Sequence, residues 1–123
     1  MGKKVLLIDD EQDLTELLKT LLEFHDLDAD TCNDSRQVEQ AFLSAQYNLV
    51  VTDLMMPEID GFQLIQKIRE KENYRTVPII ALSAKTLTDE ERKFLLRNNI
   101  HFSIKPFEPQ DLVEQISQLL QSS

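Results

Sequence analysis

Lys4-Val5-Leu6-Leu7-Ile8-Asp9-Asp10-Glu11 and Asn48-Leu49-Val50-Val51-Thr52-Asp53 are the two stretches on which the reading of this chain turns. Each is a short apolar run of the kind a fully buried parallel strand requires, and each closes on carboxylates. Open α/β sheets bind ligands outside the carboxyl ends of their strands, so both runs deliver acids to a ligand-binding edge. An oxygen-only site of this kind suits a hard cation.

Outward from these runs, apolar segments alternate with segments of helical period, the pattern of βαβ units around a parallel sheet. Strands are predicted at 4–8, 27–31, 48–52, 77–82 and 100–104. Leu14, Leu17, Leu18, Leu21 and Leu22 recur at helical spacing and predict one apolar face of a first helix. A second helix is predicted over 35–45 behind an Asp34 cap, burying Val38, Ala41 and Phe42. The third starts near Gly61, with Phe62, Leu64, Ile65 and Ile68 inward. Thr88 and Glu91 form a capping box for the fourth, whose apolar residues are Leu87, Phe94 and Leu95. The fifth opens at Pro109 and carries Leu112, Val113, Ile116, Leu119 and Leu120. Right-handed crossovers then place helices on both faces of the sheet, so the expected fold is a doubly wound α/β sandwich with a five-stranded parallel sheet.

The chain has 123 residues, 41% of them hydrophobic, enough for one real core and too few for two ordinary domains, so residues 1–123 are read as a single domain. A formal charge of −9 argues against nucleic-acid or anionic-membrane binding by the bulk surface. A lone cysteine, Cys32, excludes an internal disulfide and reads as a small buried hydrophobe of a reducing compartment. No apolar stretch reaches the length of a membrane span, and Met1-Gly2-Lys3-Lys4 leads into the first strand without a signal-peptide core. The expected location is the cytoplasm.

The strand ends bring together Asp9, Asp10, Asp53, Ser83 and Lys105. Three carboxylates repel one another, and a divalent cation offsets that repulsion. Mg²⁺ suits a few carboxylates plus water and a phosphate oxygen. An ionised aspartate needs no general base to attack phosphorus, provided the charge developing on the transferred group is neutralised. Mg²⁺ and Lys105 are the candidate neutralisers, and Ser83 can donate a hydrogen bond to a phosphoryl oxygen.

With those parts on one edge, the chain resembles the receiver domains of two-component response regulators, in the manner of a stand-alone, chemotaxis-regulator-like receiver. The likeness rests on Val5-Leu6-Leu7-Ile8-Asp9-Asp10-Glu11, the block Val51-Thr52-Asp53-Leu54-Met55-Met56-Pro57-Glu58-Ile59-Asp60-Gly61, Ile80-Ala81-Leu82-Ser83-Ala84-Lys85, and Lys105-Pro106-Phe107. The resemblance implies a flavodoxin-like strand order 2-1-3-4-5. It makes Asp53 the phosphoacceptor and Asp9, Asp10, Asp53 and the Met55 backbone carbonyl the Mg²⁺ ligands. It also makes Ser83 the switch hydroxyl, Lys105 the phosphoryl-contacting lysine and Phe102 the switch aromatic. Met55 and Lys85 fall at positions flanking the approach of water to the phosphoryl group, and the Lys105-Pro106 bond is expected cis.

The implied partners are a sensor histidine kinase or a histidine phosphotransfer protein as donor, and a downstream protein on the face of the fourth helix, fifth strand and fifth helix. Neither nucleic acid nor membrane is expected as a partner of this chain. The domain would be a switch rather than an enzyme, catalysing only its own phosphorylation and dephosphorylation.

Two departures from the family pattern carry expectations. Asn98-Asn99 stands where many receivers have Gly-Ala, and asparagine tolerates the left-handed helix-ending conformation. The sequence stops at Gln121-Ser122-Ser123 with no linker or DNA-binding domain, so a stand-alone receiver and a receiver excised from a larger regulator or hybrid kinase both stay open.

Blander readings attach to several residues. His25 and His101 lack metal-ligand spacing and read as surface or boundary residues, Met56 reads as packing, and Phe102 has an alternative reading as a plain core aromatic. Other functions compete as well. A flavodoxin-like electron carrier needs a hydroxyl- and glycine-rich phosphate loop where Asp9-Asp10-Glu11 stands, and those acids would repel the phosphate. A phosphatase of the haloacid dehalogenase type resembles its relatives in a second aspartate two residues after the nucleophile, where this chain has Met55. A degenerate receiver serving only as a docking module is the third alternative.

Overall fold

Side-by-side pairing of the apolar runs builds the molecule. In the computed structural model, which describes residues 2–121, β1 (Lys4–Ile8), β2 (Asp28–Cys32), β3 (Leu49–Asp53), β6 (Ile79–Ser83) and β7 (Ile100–Ile104) form one parallel sheet. Met1, Ser122 and Ser123, used above in reading the two ends of the chain, lie outside the described residues. The sheet order β2-β1-β3-β6-β7 is the expected 2-1-3-4-5, with β4 (Met55–Met56) and β5 (Ile59–Asp60) forming a separate antiparallel hairpin. In register, Ile8 lies beside Cys32 and Thr52, Asp53 beside Leu82, and Ser83 beside Ile104. The carboxyl ends of the strands therefore share one edge.

Helices α1 (Gln12–Phe24) and α5 (Pro109–Gln121) cover one face of the sheet; α2 (Val38–Ser44), α3 (Gly61–Glu70) and α4 (Asp89–Arg97) cover the other. Alternation along the strands divides the core accordingly. Val5 and Leu7 pack with Leu18, Leu22, Val113 and Ile116, while Leu6 and Ile8 pack with Val38, Ile65 and Leu95. Burying one such side chain is worth about 1.5–3 kcal/mol. The buried stripe Leu112, Val113, Ile116 and Leu120 thus holds α5, a 13-residue helix that would be marginal in isolation.

Local boundaries move for identifiable reasons. The first helix was expected to bury five leucines, but Leu17 is 46% exposed and Thr15 is buried instead, where its hydroxyl accepts a hydrogen bond from Asn33 Nδ2 at 2.8 Å. Leu27 is not in β2 because its N–H donates back to the Leu22 carbonyl at 3.0 Å, after Asp26 turns the chain at φ 59°. Asn48 supports β1 through its side chain, Oδ1 accepting from the Lys4 N–H at 2.8 Å, and so precedes β3. Pro78 has no N–H to give to the ladder, and β6 starts after it. Residues Ser35–Gln37 form a 3-10 turn before α2, with Asp34 accepting from the Arg36 N–H as the expected cap.

The Thr88–Glu91 capping box is complete at the start of α4. At its other end Asn98 Nδ2 donates to the Phe94 carbonyl and Asn99 takes the left-handed conformation at φ 57°. Arg69 ties this turn to α3, its guanidinium donating to the carbonyls of Asn98, Tyr74 and Val77. The histidines are exposed, and Met56 and Cys32 are buried. Burial, with the Asp30 charge adding to it, pushes the Cys32 thiol up to about 11.

Candidate functional site

The two buried inner strands, β1 and β3, deliver the acids. Asp9 follows β1 and extends the ladder, its N–H donating to the Cys32 carbonyl at 3.0 Å. Asn33 locks that turn by donating to the Asp9 carbonyl at 2.8 Å as well as to Thr15. The Glu11 N–H donates to Asp9 Oδ1 at 2.9 Å. Asp53 closes β3, and its Oδ1 accepts from the Met55 N–H at 3.0 Å as the chain enters the hairpin. Asp9 and Asp53 are 2% and 4% exposed, whereas Asp10 reaches solvent.

Gly61 makes this arrangement possible. A Cβ on it would lie 2.5 Å from Leu54 Cα, so only glycine lets the start of α3 pack on the residue after Asp53. Asp60 caps that helix by accepting from the Phe62 N–H.

Lys105 arrives from the far side of the sheet. Its own N–H donates to the Ser83 carbonyl at 2.7 Å, and the Lys105-Pro106 bond is cis. Its Nζ lies 2.8 Å from Asp9 Oδ2, 2.9 Å from Glu11 Oε1 and 3.3 Å from Asp53 Oδ2. Burial alone would lower the Lys105 pKa, but the carboxylates of Asp9, Glu11 and Asp53 outweigh it and push it up, so the ammonium stays charged. Burial raises the Asp9 carboxyl above its ordinary value, with the Asp53 charge adding to it and Lys105 and the Glu11 N–H opposing.

Carboxylate oxygens of Asp9, Asp10 and Asp53 lie within 4.8 Å of one another. Two ligands on opposite sides of a Mg²⁺ ion are about 4.2 Å apart, so little closure is needed to hold one. A second observation fits a cation. Asp9 Oδ2 is buried with no hydrogen-bond donor, its contact to Lys105 being close in distance but not aligned as a hydrogen bond. An unsatisfied buried carboxylate oxygen is costly in an unliganded site and becomes a ligand in a metal-bound one.

Asp9, Asp10, Asp53 and Lys105 thus converge as the sequence predicts. Ser83 stands on the same edge, fully buried, but its hydroxyl is turned into its own loop, donating to the Lys85 carbonyl at 3.0 Å and accepting from the Lys85 N–H at 3.2 Å. Phe102 lies on β7 and is 39% exposed, so the plain core reading fails for it. Glu11, Asn33 and Gly61 have roles that sequence reasoning did not assign. Asn33 had a faint signal, a polar residue just past β2 on the acidic edge. Nothing local links Glu11 to a lysine 94 residues away.

A family model described as the response regulator receiver domain matches residues 5–117. The chain is 36% identical over 121 residues to the transcriptional regulatory protein CpxR homolog of Haemophilus influenzae, covering 98% of this chain and 51% of that protein. It is 32% identical over 117 residues to the response regulator ArlR of Staphylococcus saprophyticus, covering 95% and 52%. The chain spans about half the length of these curated relatives. Among solved structures, a response regulator receiver protein from Pseudomonas putida superposes with TM-score 0.84 at 26% identity, covering 96% of this chain and 98% of that one. A CheY-like receiver domain protein from Methanospirillum hungatei superposes with TM-score 0.86 at 22% identity, covering 98% and 94%, a likeness of fold.

Proposed function

The chain belongs to the response regulator receiver domain family, and from that membership and the site geometry we propose that it is a phosphoacceptor switch in which Asp53 receives a phosphoryl group from a phosphohistidine. The observation that carries this reading is Lys105 Nζ held among Asp9, Glu11 and Asp53, beside three carboxylates spaced for one cation. Asp9, Asp10 and Asp53 would hold Mg²⁺, together with the Met55 backbone carbonyl. Bound there, the ion would neutralise charge on the transferred group.

The residues of the chain do the rest. The Met55 N–H and Lys105 aim the Asp53 carboxylate. One Asp53 oxygen attacks phosphorus, the bond from phosphorus to the donor nitrogen breaks, and its electron pair leaves with the imidazole. Lys105, already charged, then pairs with a phosphoryl oxygen. Ser83 exchanges its loop partners at Lys85 for a second phosphoryl oxygen, which opens space for Phe102 to turn inward. The altered surface is that of α4, β7 and α5, where Leu96, Phe102 and Ile104 are exposed.

A sensor histidine kinase or histidine phosphotransfer protein is the donor in this reading, and a separate protein is the target. The outer face of α5 carries Gln115, Ser117, Gln118 and Gln121 rather than basic residues, which favours a heterologous partner over a phosphorylation-driven homodimer. The domain acts as a switch, with no small-molecule turnover, and works in the cytoplasm. No helix among the described residues is long and apolar enough to cross a membrane.

Intact mass after incubation with acetyl phosphate tests the reading. One phosphoryl group is expected in Mg²⁺ and none in excess chelator; full phosphorylation in chelator overturns it. In amide spectra, beryllofluoride is expected to shift residues 83–97 and 100–112 as well as the site. Changes confined to the acidic pocket would refute the switch.

A further inference from the structure

We propose that Glu91 is a positioning residue that sets the lifetime of the phosphoryl group by holding the Lys85 ammonium away from it, an inference that rests on Asp53 being the phosphoacceptor. The acidic site is flanked by two clefts. Lys105 stands in one, against Glu11, Ala84 and Pro106. The other is lined by Asp10, Met55, Pro57, Lys85 and Glu91, and from its wall the Met55 N–H holds Asp53 Oδ1.

Lys105 is committed to three carboxylates, and among the described residues a second cation, Lys85, lines the other cleft. Before phosphorylation its N–H and carbonyl both bond the Ser83 hydroxyl, and the side chain alone reaches toward α4. Nζ donates to Glu91 Oε2 at 2.9 Å, pointing it toward the start of α4. Glu91 is a fixed anchor rather than a loose surface acid. Its Oε1 accepts from the Thr88 N–H at 2.8 Å, and its N–H donates to Thr88 Oγ1 at 3.1 Å. The Thr88 N–H and the Lys85 ammonium both lower its pKa, so it stays ionised.

The consequence follows from the hydrolysis that resets the switch. Water attacks phosphorus opposite the bond to Asp53, that bond breaks, and its electron pair returns to the carboxylate. Both water hydrogens leave on dihydrogen phosphate, which loses one to solvent near neutral pH. A protonated lysine donates three hydrogen bonds and accepts none, so it cannot help remove a proton from the water. Freed from Glu91 on the wall of this cleft, Lys85 pairs with phosphoryl oxygens and stands in the water's path, and hydrolysis slows. The same charge draws an anionic donor in faster.

Glu91→Gln separates the two roles of this side chain, because glutamine also serves at the third position of a capping box but carries no charge to hold Lys85. An exposed ion pair of this kind biases conformations by about two- to five-fold. With acetyl phosphate and Mg²⁺, Glu91→Gln is expected to slow adduct decay by about that factor and to speed loading, with helix content by circular dichroism unchanged. In a Lys85→Ala background the same substitution is expected to leave the decay rate unchanged, which a purely structural role of Glu91 would not produce. An unchanged decay in Glu91→Gln, or an equal effect with and without Lys85, overturns the inference while leaving the phosphoacceptor reading standing. Failure of the unsubstituted protein to form any adduct overturns both.

Discussion

Removing the charge of Lys105 while keeping its bulk, as in Lys105→Met, probes the electrostatics of the site most sharply. The ammonium lies within 3.3 Å of three carboxylates and is 13% exposed, so the substitution leaves Asp9 and Asp53 buried with like charge and no counterion. At an effective dielectric of about 20, each of these contacts is worth roughly 5–6 kcal/mol in gross attraction. The measured cost is far smaller, because Asp9 can escape by binding a proton. Holding a carboxyl of ordinary pKa 3.8 protonated at pH 7 costs about 4 kcal/mol, which caps the loss, and breaking a buried pair typically costs about 3–5 kcal/mol.

The sign with pH follows from linkage. Burial already raises Asp9 in the native protein, and losing Lys105 raises it further, so the folded variant binds more protons than the unfolded chain. Its stability is fully present below pH 3.8, the ordinary value of the carboxyl, and falls as pH rises through the raised folded value. Urea unfolding followed by far-ultraviolet circular dichroism is expected to show a loss of about 2–4 kcal/mol at neutral pH, recovered largely by acidification. Excess Mg²⁺ is expected to recover it too, with an affinity equal to or tighter than in the native protein because a competing cation is gone. A neutral-pH loss below about 0.5 kcal/mol, or a large fall in Mg²⁺ affinity, would refute the reasoning.

Three further substitutions address the scaffold and the chemistry. Tyr74→Phe removes the buried hydroxyl that accepts the Tyr47 N–H at 2.9 Å, and equilibrium unfolding is expected to show a loss of about 1–3 kcal/mol; a neutral result would mean the amide finds another acceptor. Gly61→Ala forces a methyl to 2.5 Å from Leu54 Cα and is expected to cost about 1–3 kcal/mol and slow phosphorylation, whereas full stability with normal phosphorylation would show that the close approach is dispensable. Met55 is 56% exposed beside the Asp53 carboxylate and cannot orient water by hydrogen bonding, so Met55→Asn is expected to speed decay of the adduct; an unchanged or slower decay removes that argument.

Much of this molecule is legible along the chain because its strands are marked by local apolar runs and its helices by local periodicity. Val5 to Ile8 and Leu49 to Thr52 cannot be satisfied except in the middle of a sheet, and once they pair, Asp9 and Asp53 fall on one edge without further information. Boundaries shifted where a side chain or a missing N–H replaced a ladder bond, as at Asn48 and Pro78. The hairpin after Asp53 was not anticipated. It turns through Glu58 at φ 65°, a conformation glycine signals and glutamate does not. Leu17 belongs by periodicity to the buried stripe, yet the polar contact of Thr15 with Asn33 rotates the covered face away from it. Long-range partners such as Glu11 with Lys105, or Arg69 with the turn after α4, depend on how loops meet in three dimensions, which no local pattern encodes.

Asp53, and no other residue, is expected to carry the phosphoryl group. Reducing the phosphorylated protein with borohydride converts an aspartyl phosphate to homoserine, and peptide mass spectrometry then locates it. Homoserine is expected at position 53 alone, formed after incubation with acetyl phosphate in Mg²⁺ and absent in chelator. Homoserine at position 9 or 10, or an acid-labile phosphoryl group on His25 or His101 with position 53 unmodified, would contradict it.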